Sequence, residues 1–288
     1  MGKEILKNQN DDEAIQLLRA STVAYGRAKM WENIVTFVLL FLSFAYPIFY
    51  SCSDDDQMKL ILFQVSFFLY ILVQVFSPSL KGNTSQGALI KEEFDTKIFG
   101  LPWKSTLKRI DAFEISKLSN NYNGKPIKDW YPTNFSDKIP NQILIATCQR
   151  CNTAWDIELR NKYSSFLFAF IILYTVAFGL LIVFKNLDGK TVFFICFSTL
   201  SFYTHFVTII RGHRSVIEKR TAINSILDKH IFGSTEPTMQ ELRDIQDEIY
   251  LTRQESVKVP DLFFRIFSRQ TNNAFDNFLE RVNKHFGK

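Results

Sequence analysis

Cys148 and Cys151 are the pair in this chain best spaced for metal or redox chemistry. A structural zinc takes four nitrogen or sulfur ligands, and no second Cys/His pair stands at a suitable spacing. A redox C-x-x-C accompanies a βαβ pattern, which the sequence lacks. Packing on a helix is the reading that remains for the pair. His205, His213, His230 and His285 do not cluster with carboxylates along the chain. No glycine-rich phosphate loop, His-Glu-x-x-His or nucleophile elbow occurs. Nothing here argues for an enzyme, and no catalytic residue, metal or cofactor is expected.

A second set of polar residues stands where polarity is costly. Ser198, Ser201, His205 and Thr208 recur at steps of three, four and three inside the charge-free run Thr191–Ile210. At helical spacing they share one face. Two readings stand: a helix–helix seam bonded through hydroxyls, or the wall of a water-filled path, which a histidine at membrane depth favours. Phe194 is expected to face lipid.

The elements that must position these residues follow from apolar patterning. Four charge-free windows, Ile34–Ser53, Leu60–Leu80, Tyr163–Phe184 and Thr191–Ile210, are each long enough to span a hydrocarbon core of roughly 30 Å. Backbone groups inside such a core must bond internally, which selects helices. The first apolar run follows 33 mostly polar residues, so no cleavable signal is expected and the first span stays attached. The linkers Asp54–Lys59 and Lys185–Lys190 hold only Lys59, Lys185 and Lys190 of the 34 Lys and Arg, against Asp54, Asp55, Asp56 and Asp188. By the positive-inside rule both linkers face outward and both termini lie in the cytoplasm.

The expected fold is an all-α membrane protein with four transmembrane helices in two hairpins. A helical cytoplasmic domain is built from the middle segment and the C-terminal tail. The expected divisions are an N-terminal arm over 1–33, a first hairpin over 34–80, a middle segment over 81–162, a second hairpin over 163–210 and a tail over 211–288. In the arm, Asp11 or Asp12 can cap a helix whose stripe is Ile15, Leu18, Thr22 and Tyr25. Pro47 should bend or loosen the last turns of the first span, and Gln64 and Gln74 in the second should face protein or water, interhelical hydrogen bonding being the plainer reading. Gly82 to Gly87 reads as a loop, and Asp111 to Asn120 as a short helix.

After Pro140, the residues Leu144, Cys148, Cys151, Trp155 and Leu159 form one apolar face, while Gln149, Asn152, Asp156 and Arg160 form a neighbouring polar one. Nothing breaks the pattern before the third span, which predicts one helix from about Asn141 to Phe184. In the tail, Gly233 and Ser234 punctuate, and Thr238 with Glu241 makes a capping box.

The block Trp130-Tyr131-Pro132, Cys148-Gln149-Arg150, Asn152, Trp155-Asp156 and Leu159-Arg160 leading into a span resembles the SMODS-associated four-transmembrane effectors. Gln16-Leu17-Leu18-Arg19-Ala20, Glu93-Phe94-Asp95 and Val259-Pro260-Asp261 are similar to that family too. The resemblance implies an effector of bacterial anti-phage defence in the inner membrane. It implies gating by a cyclic oligonucleotide from a neighbouring nucleotidyltransferase, a pore-forming action, and no long nucleic acid as partner. A homo-oligomer in the lipid bilayer is expected, because four spans fill their own centre with side chains. Such a ligand offers phosphates and flat bases, so Trp130, Tyr131, Arg150, Trp155 and Arg160 are the candidate binding residues. A non-conducting scaffold or sensor and a lipid-acting enzyme are the alternatives.

Overall fold

The computed structural model describes residues 6–53, 55–76, 81–255 and 257–287, and those residues form helices and no strands. After a 3-10 turn at Asn8–Asn10 come α1 (Asp12–Cys52), α2 (Asp56–Phe76), α3 (Lys81–Phe99), α4 (Ala112–Asn120) and α5 (Asn141–Lys185). They are followed by α6 (Gly189–Ser198), α7 (Leu200–Phe232), α8 (Met239–Gln254) and α9 (Asp261–Gly287). Three helices, α1, α2 and α5, are long and apolar enough to cross a membrane, and the α6–α7 pair makes a fourth if its bend is allowed.

Helix α5 organises the rest. It is 45 residues long, roughly 67 Å, and Pro140 precedes it as its N-cap. Its first half lies in a charged lobe and its second half in an apolar shaft. Asn186 ends it in the left-handed conformation at φ 46°, which asparagine tolerates better than most residues. Asp188 then caps α6 by accepting from the N–H groups of Lys190 and Thr191. The capping box at Thr238 and Glu241 is present in full, and Asp111 caps α4 through the Phe113 N–H.

The lobe has its own core. Leu17 and Leu18 of α1, Phe94 and Ile98 of α3, Leu144 and Cys148 of α5, Leu227 of α7, Leu242 and Ile249 of α8, and Val282 of α9 meet in it. Cys148 and Cys151 are both buried there. The shaft is held by Tyr163, Leu167, Tyr174, Phe202 and Phe206, and nearer its far end by Tyr46, Tyr50, Phe194 and Ile195.

Several expectations need correction. Residues 82–87 are helical, as the first turns of α3, and Gly87 lies against Tyr25 of α1. A Cβ at that position would stand 2.9 Å from the tyrosine ring, so close packing rather than a turn explains the glycine. The face that α1 buries in the lobe runs through Ala14, Leu17, Leu18, Ser21 and Ala24, of which Ala14, Ser21 and Ala24 are small enough for close helix packing, while Thr22 is exposed. Asp11 is the N-cap of α1 without a side-chain cap bond. Phe194 does not face lipid, being buried between Tyr50 and Phe63.

The fourth apolar window is not one straight helix. It bends by 41° between Ser198 and Leu200. Thr199 Oγ1 donates back to the carbonyls of Ile195 at 2.9 Å and Cys196 at 3.2 Å, and such back-bonding bends helices. Pro47, by contrast, does not end α1. It leaves the Ser43 carbonyl without its usual N–H, and the Tyr174 hydroxyl of α5 donates to that oxygen at 2.6 Å. The side chain of Gln74 lies outside the described residues.

Candidate functional site: the polar ladder of the long helix

The polar face of α5 is buried inside the lobe rather than turned to solvent. Gln149, Thr153 and Arg160 are buried and Asn152 and Asp156 are partly so, each bonded to a polar group from another segment of the chain. At its lower end, Gln149 Nε2 donates to the Leu242 carbonyl at 2.9 Å and to Gln246 Oε1 at 3.1 Å. Asn152 Nδ2 donates to the Tyr131 hydroxyl at 2.7 Å, and that hydroxyl donates to Asp95 Oδ1 at 2.7 Å. Asp95 also pairs with Arg253 at 2.7 Å and with Lys91 at 3.4 Å. Its neighbour Glu92 is held by Arg243 at 2.5 Å and Gln246 at 2.7 Å.

Higher on α5, Thr153 bonds Asn224 of α7. Asp156 takes both Arg160, the expected partner four residues on, and Arg220 of α7 at 2.6 Å. Arg160 Nη1 then donates to His213 Nδ1 at 2.9 Å and to the Val257 carbonyl at 2.7 Å. A guanidinium only donates, so His213 Nδ1 must be the unprotonated acceptor. The ladder thus climbs α5 from the lobe's centre to the foot of the shaft, where Tyr163 meets the His213 ring edge-on.

The balance of charge decides what the ladder can do. Burial alone would raise the carboxyls of Asp95 and Asp156, yet Arg253 and Lys91 hold the first below its usual range, and Arg160 and Arg220 hold the second well below. Burial pushes the Lys91 ammonium down to about 7 against the pull of Asp95, while the rings of Phe94 and Trp130, each 3.9 Å from it, favour the charge. Burial, with Arg160 acting in the same sense, pushes Lys258 down to about 7 as well. These basic groups have internal partners, so the ladder ties α3, α5, α7 and α8 together.

The two lysines set a pH dependence. Their folded values lie below the ordinary 10.5, so the unfolded chain binds more protons between about pH 7 and 10.5. Stability should therefore rise with pH across that window and be flat in this respect below it. Thermal unfolding in detergent between about pH 7 and 9.5 should show a rising Tm, with a shallower slope for Lys91→Met and Lys258→Met. Equal slopes in all three proteins would show that neither ammonium is perturbed.

The five candidate ligand residues do not converge on one pocket. Tyr131 is fully buried at the ladder's base, its backbone zipped to the Gln9 side chain at 2.7 and 3.2 Å. Trp130 is 44% exposed and covers Lys91. Arg150 donates to Asp228 at 2.9 Å and stacks over Phe278. Trp155 packs on Phe264 of α9, and Arg160 is buried in the ladder. Arg150 and Arg160 stand about 15 Å apart along α5. Lys91, Glu92, Asp95, Arg220, Arg243 and Arg253 are the ladder residues that sequence reading missed. Lys91 and Asp95, four apart on a helix, were the available signal.

Of the four polar residues of the fourth window, Ser198 and His205 meet other helices. Ser198 is 3% exposed and meets the Tyr50 hydroxyl at 3.2 Å and Ser66 of α2 at 3.1 Å. Ser201 is buried too, and His205 Nε2 lies 2.9 Å from Thr36 Oγ1 of α1. Thr208 is exposed and bonds back to the Thr204 carbonyl. Among the described residues no group of three His, Cys, Asp or Glu could hold a metal ion.

Comparison with known proteins places the chain in a family. The chain is similar to a probable CBASS effector molecule of Bacillus cereus strain VD146, at 26% identity over 275 residues, covering 90% of this chain and 92% of that one. No solved structure matches. The family model of the SMODS-associating 4TM effector domain matches residues 3–282, nearly the whole length, and the chain belongs to that family.

Proposed function

We propose that this protein is a membrane effector of CBASS-type anti-phage defence. In this reading its lobe receives a cyclic oligonucleotide made by a neighbouring nucleotidyltransferase, and its spans, assembled as a homo-oligomer, make the bacterial inner membrane leaky. The observation that carries the proposal is α5 itself. One unbroken helix bears the buried ladder in the lobe and an apolar span above it, so a change in the ladder's pairing moves a membrane helix directly. The ligand must bind one arrangement better than the other, and moving 1:99 to 99:1 takes about 5.5 kcal/mol, which several copies share.

Leakage from reconstituted vesicles tests it. With the ligand present, Ser201→Leu and His205→Phe should abolish or alter dye or ion release, while the outward-facing Phe193→Leu should not. The closed seam at Ser198 and His205 favours the second reading, a scaffold that conducts nothing. Equal leakage from all three variants would remove the fourth window from any path, and no leakage from the wild type would leave the scaffold.

The orientation belongs to the same proposal, with the arm, the middle segment 81–162 and the tail in the cytoplasm. A cysteine at Asp55 should react with an impermeant thiol reagent added outside intact cells, and one at the exposed Asn123 should not. The reverse pattern would invert the topology.

A further inference from the structure

Helix α2 has two faces with different fates. Lys59, Phe63 and Ser66 turn into the bundle, where Lys59 reaches Thr191, Phe63 packs on Phe197 and Ser66 bonds Ser198. The outward face carries Ile61, Gln64, Phe68, Ile71 and Val75, all exposed, at steps of three, four, three and four. Four of these five suit lipid. Gln64 does not. It stands four residues inside the charge-free run that begins at Leu60, about 6 Å along the helix and within a hydrocarbon core of roughly 30 Å. Its carboxamide has no hydrogen-bond partner among the described residues. An amide left bare in hydrocarbon is strongly disfavoured, so this one needs an acceptor and a donor from outside the subunit.

A carboxamide is self-complementary, offering both donor and acceptor. The 3-4 spacing on either side of it is the seam by which parallel helices interlock, and one polar residue in such a seam fixes register and partner number. We infer that the outward face of α2 is a docking surface for a second copy of this chain, with Gln64 bonded across the interface to the partner's Gln64. The inference rests on reading α2 as a membrane span and not on ion conduction. It places the contact between subunits on α2, leaving the Ser198–His205 face for the interior.

Disulfide trapping in native membranes tests it. In a background carrying Cys52→Ser and Cys196→Ala, Phe68→Cys should give a crosslinked dimer under mild oxidation. Leu173→Cys, equally exposed on α5, should give none. Adding Gln64→Leu should lower the Phe68→Cys dimer at least fivefold, and Gln64→Asn should retain most of it. Gln64→Leu makes an exposed position more apolar, so misfolding does not explain a loss. Comparable crosslinking at Phe68 and Leu173, or a dimer indifferent to Gln64→Leu, overturns the interface. Alkaline extraction separates the layers. A protein that leaves the membrane refutes the span and the interface with it, whereas one that stays without forming the dimer refutes the interface alone.

Discussion

Asp95→Ala should destabilise the lobe by about 3–5 kcal/mol, a large part of the 5–15 kcal/mol that holds a typical domain together. Asp95 is fully buried and takes Arg253, Lys91 and the Tyr131 hydroxyl at once. Truncating it leaves two cations and a hydroxyl desolvated without their acceptor, and that unpaired state costs more than the pairing gains. The expected result is a protein that accumulates poorly and unfolds at much lower temperature in detergent. Glu13→Ala, which removes an exposed partner of Lys97, should cost about 1 kcal/mol or less. Restoring balance with Asp95→Leu and Arg253→Met together should recover part of the loss. Equal melting of Asp95→Ala and Glu13→Ala would mean that the ladder's base is hydrated and its pairing unimportant.

What was legible in the sequence divides along a physical line. Helices written in long apolar runs or closed by side-chain caps could be read directly. Asn141 to Phe184 carries an unbroken pattern after Pro140, and Thr238 with Glu241 closes a local box whose partners lie three residues apart. The polar set on α5 was visible as a face, but its burial was not, because Arg220 reaches Asp156 and Gln246 reaches Gln149 from helices 64 and 97 residues downstream. Periodicity tells which residues share a side and not what covers that side. The same gap explains Gly87, where composition suggested a turn and the reason for the glycine is the Tyr25 ring on another helix. The bend at Thr199 comes from one hydroxyl turned back on its own helix, a local choice that the residue type permits without requiring it.

The ligand residues show the limit most clearly. Trp130, Tyr131, Arg150, Trp155 and Arg160 have the chemistry to hold phosphates and bases, but all five are engaged with internal partners. Residue type describes capacity, and only the fold shows how that capacity is used. In Tyr131 the hydroxyl joins α3 to α5, which makes the Trp-Tyr-Pro segment a clamp at the ladder's base.

The length of α5 gives the second large effect. Asn152→Pro removes the helix bond from residue 152 to the carbonyl of Cys148 and sets the ring against that carbonyl, at a cost of about 3 kcal/mol or more. It also removes the Asn152 bond to Tyr131. Asn152→Ala removes only that last bond and keeps the helix, which should cost about 1 kcal/mol. The comparison therefore separates continuity from hydrogen bonding at a single position. If the ladder moves the span through a rigid rod, the proline variant should lose ligand-dependent leakage even under conditions where it remains folded, and the alanine variant should keep it. The lever would be cut between Cys148 and Asn152, with the shaft beyond it intact. Matching Tm and matching leakage in the two variants would mean that α5 does not carry the signal as one body. The remaining mechanical link would then be the strap at Val257 and Lys258, which reaches Arg160 at 2.7 Å and Glu32 of α1 at 3.2 Å.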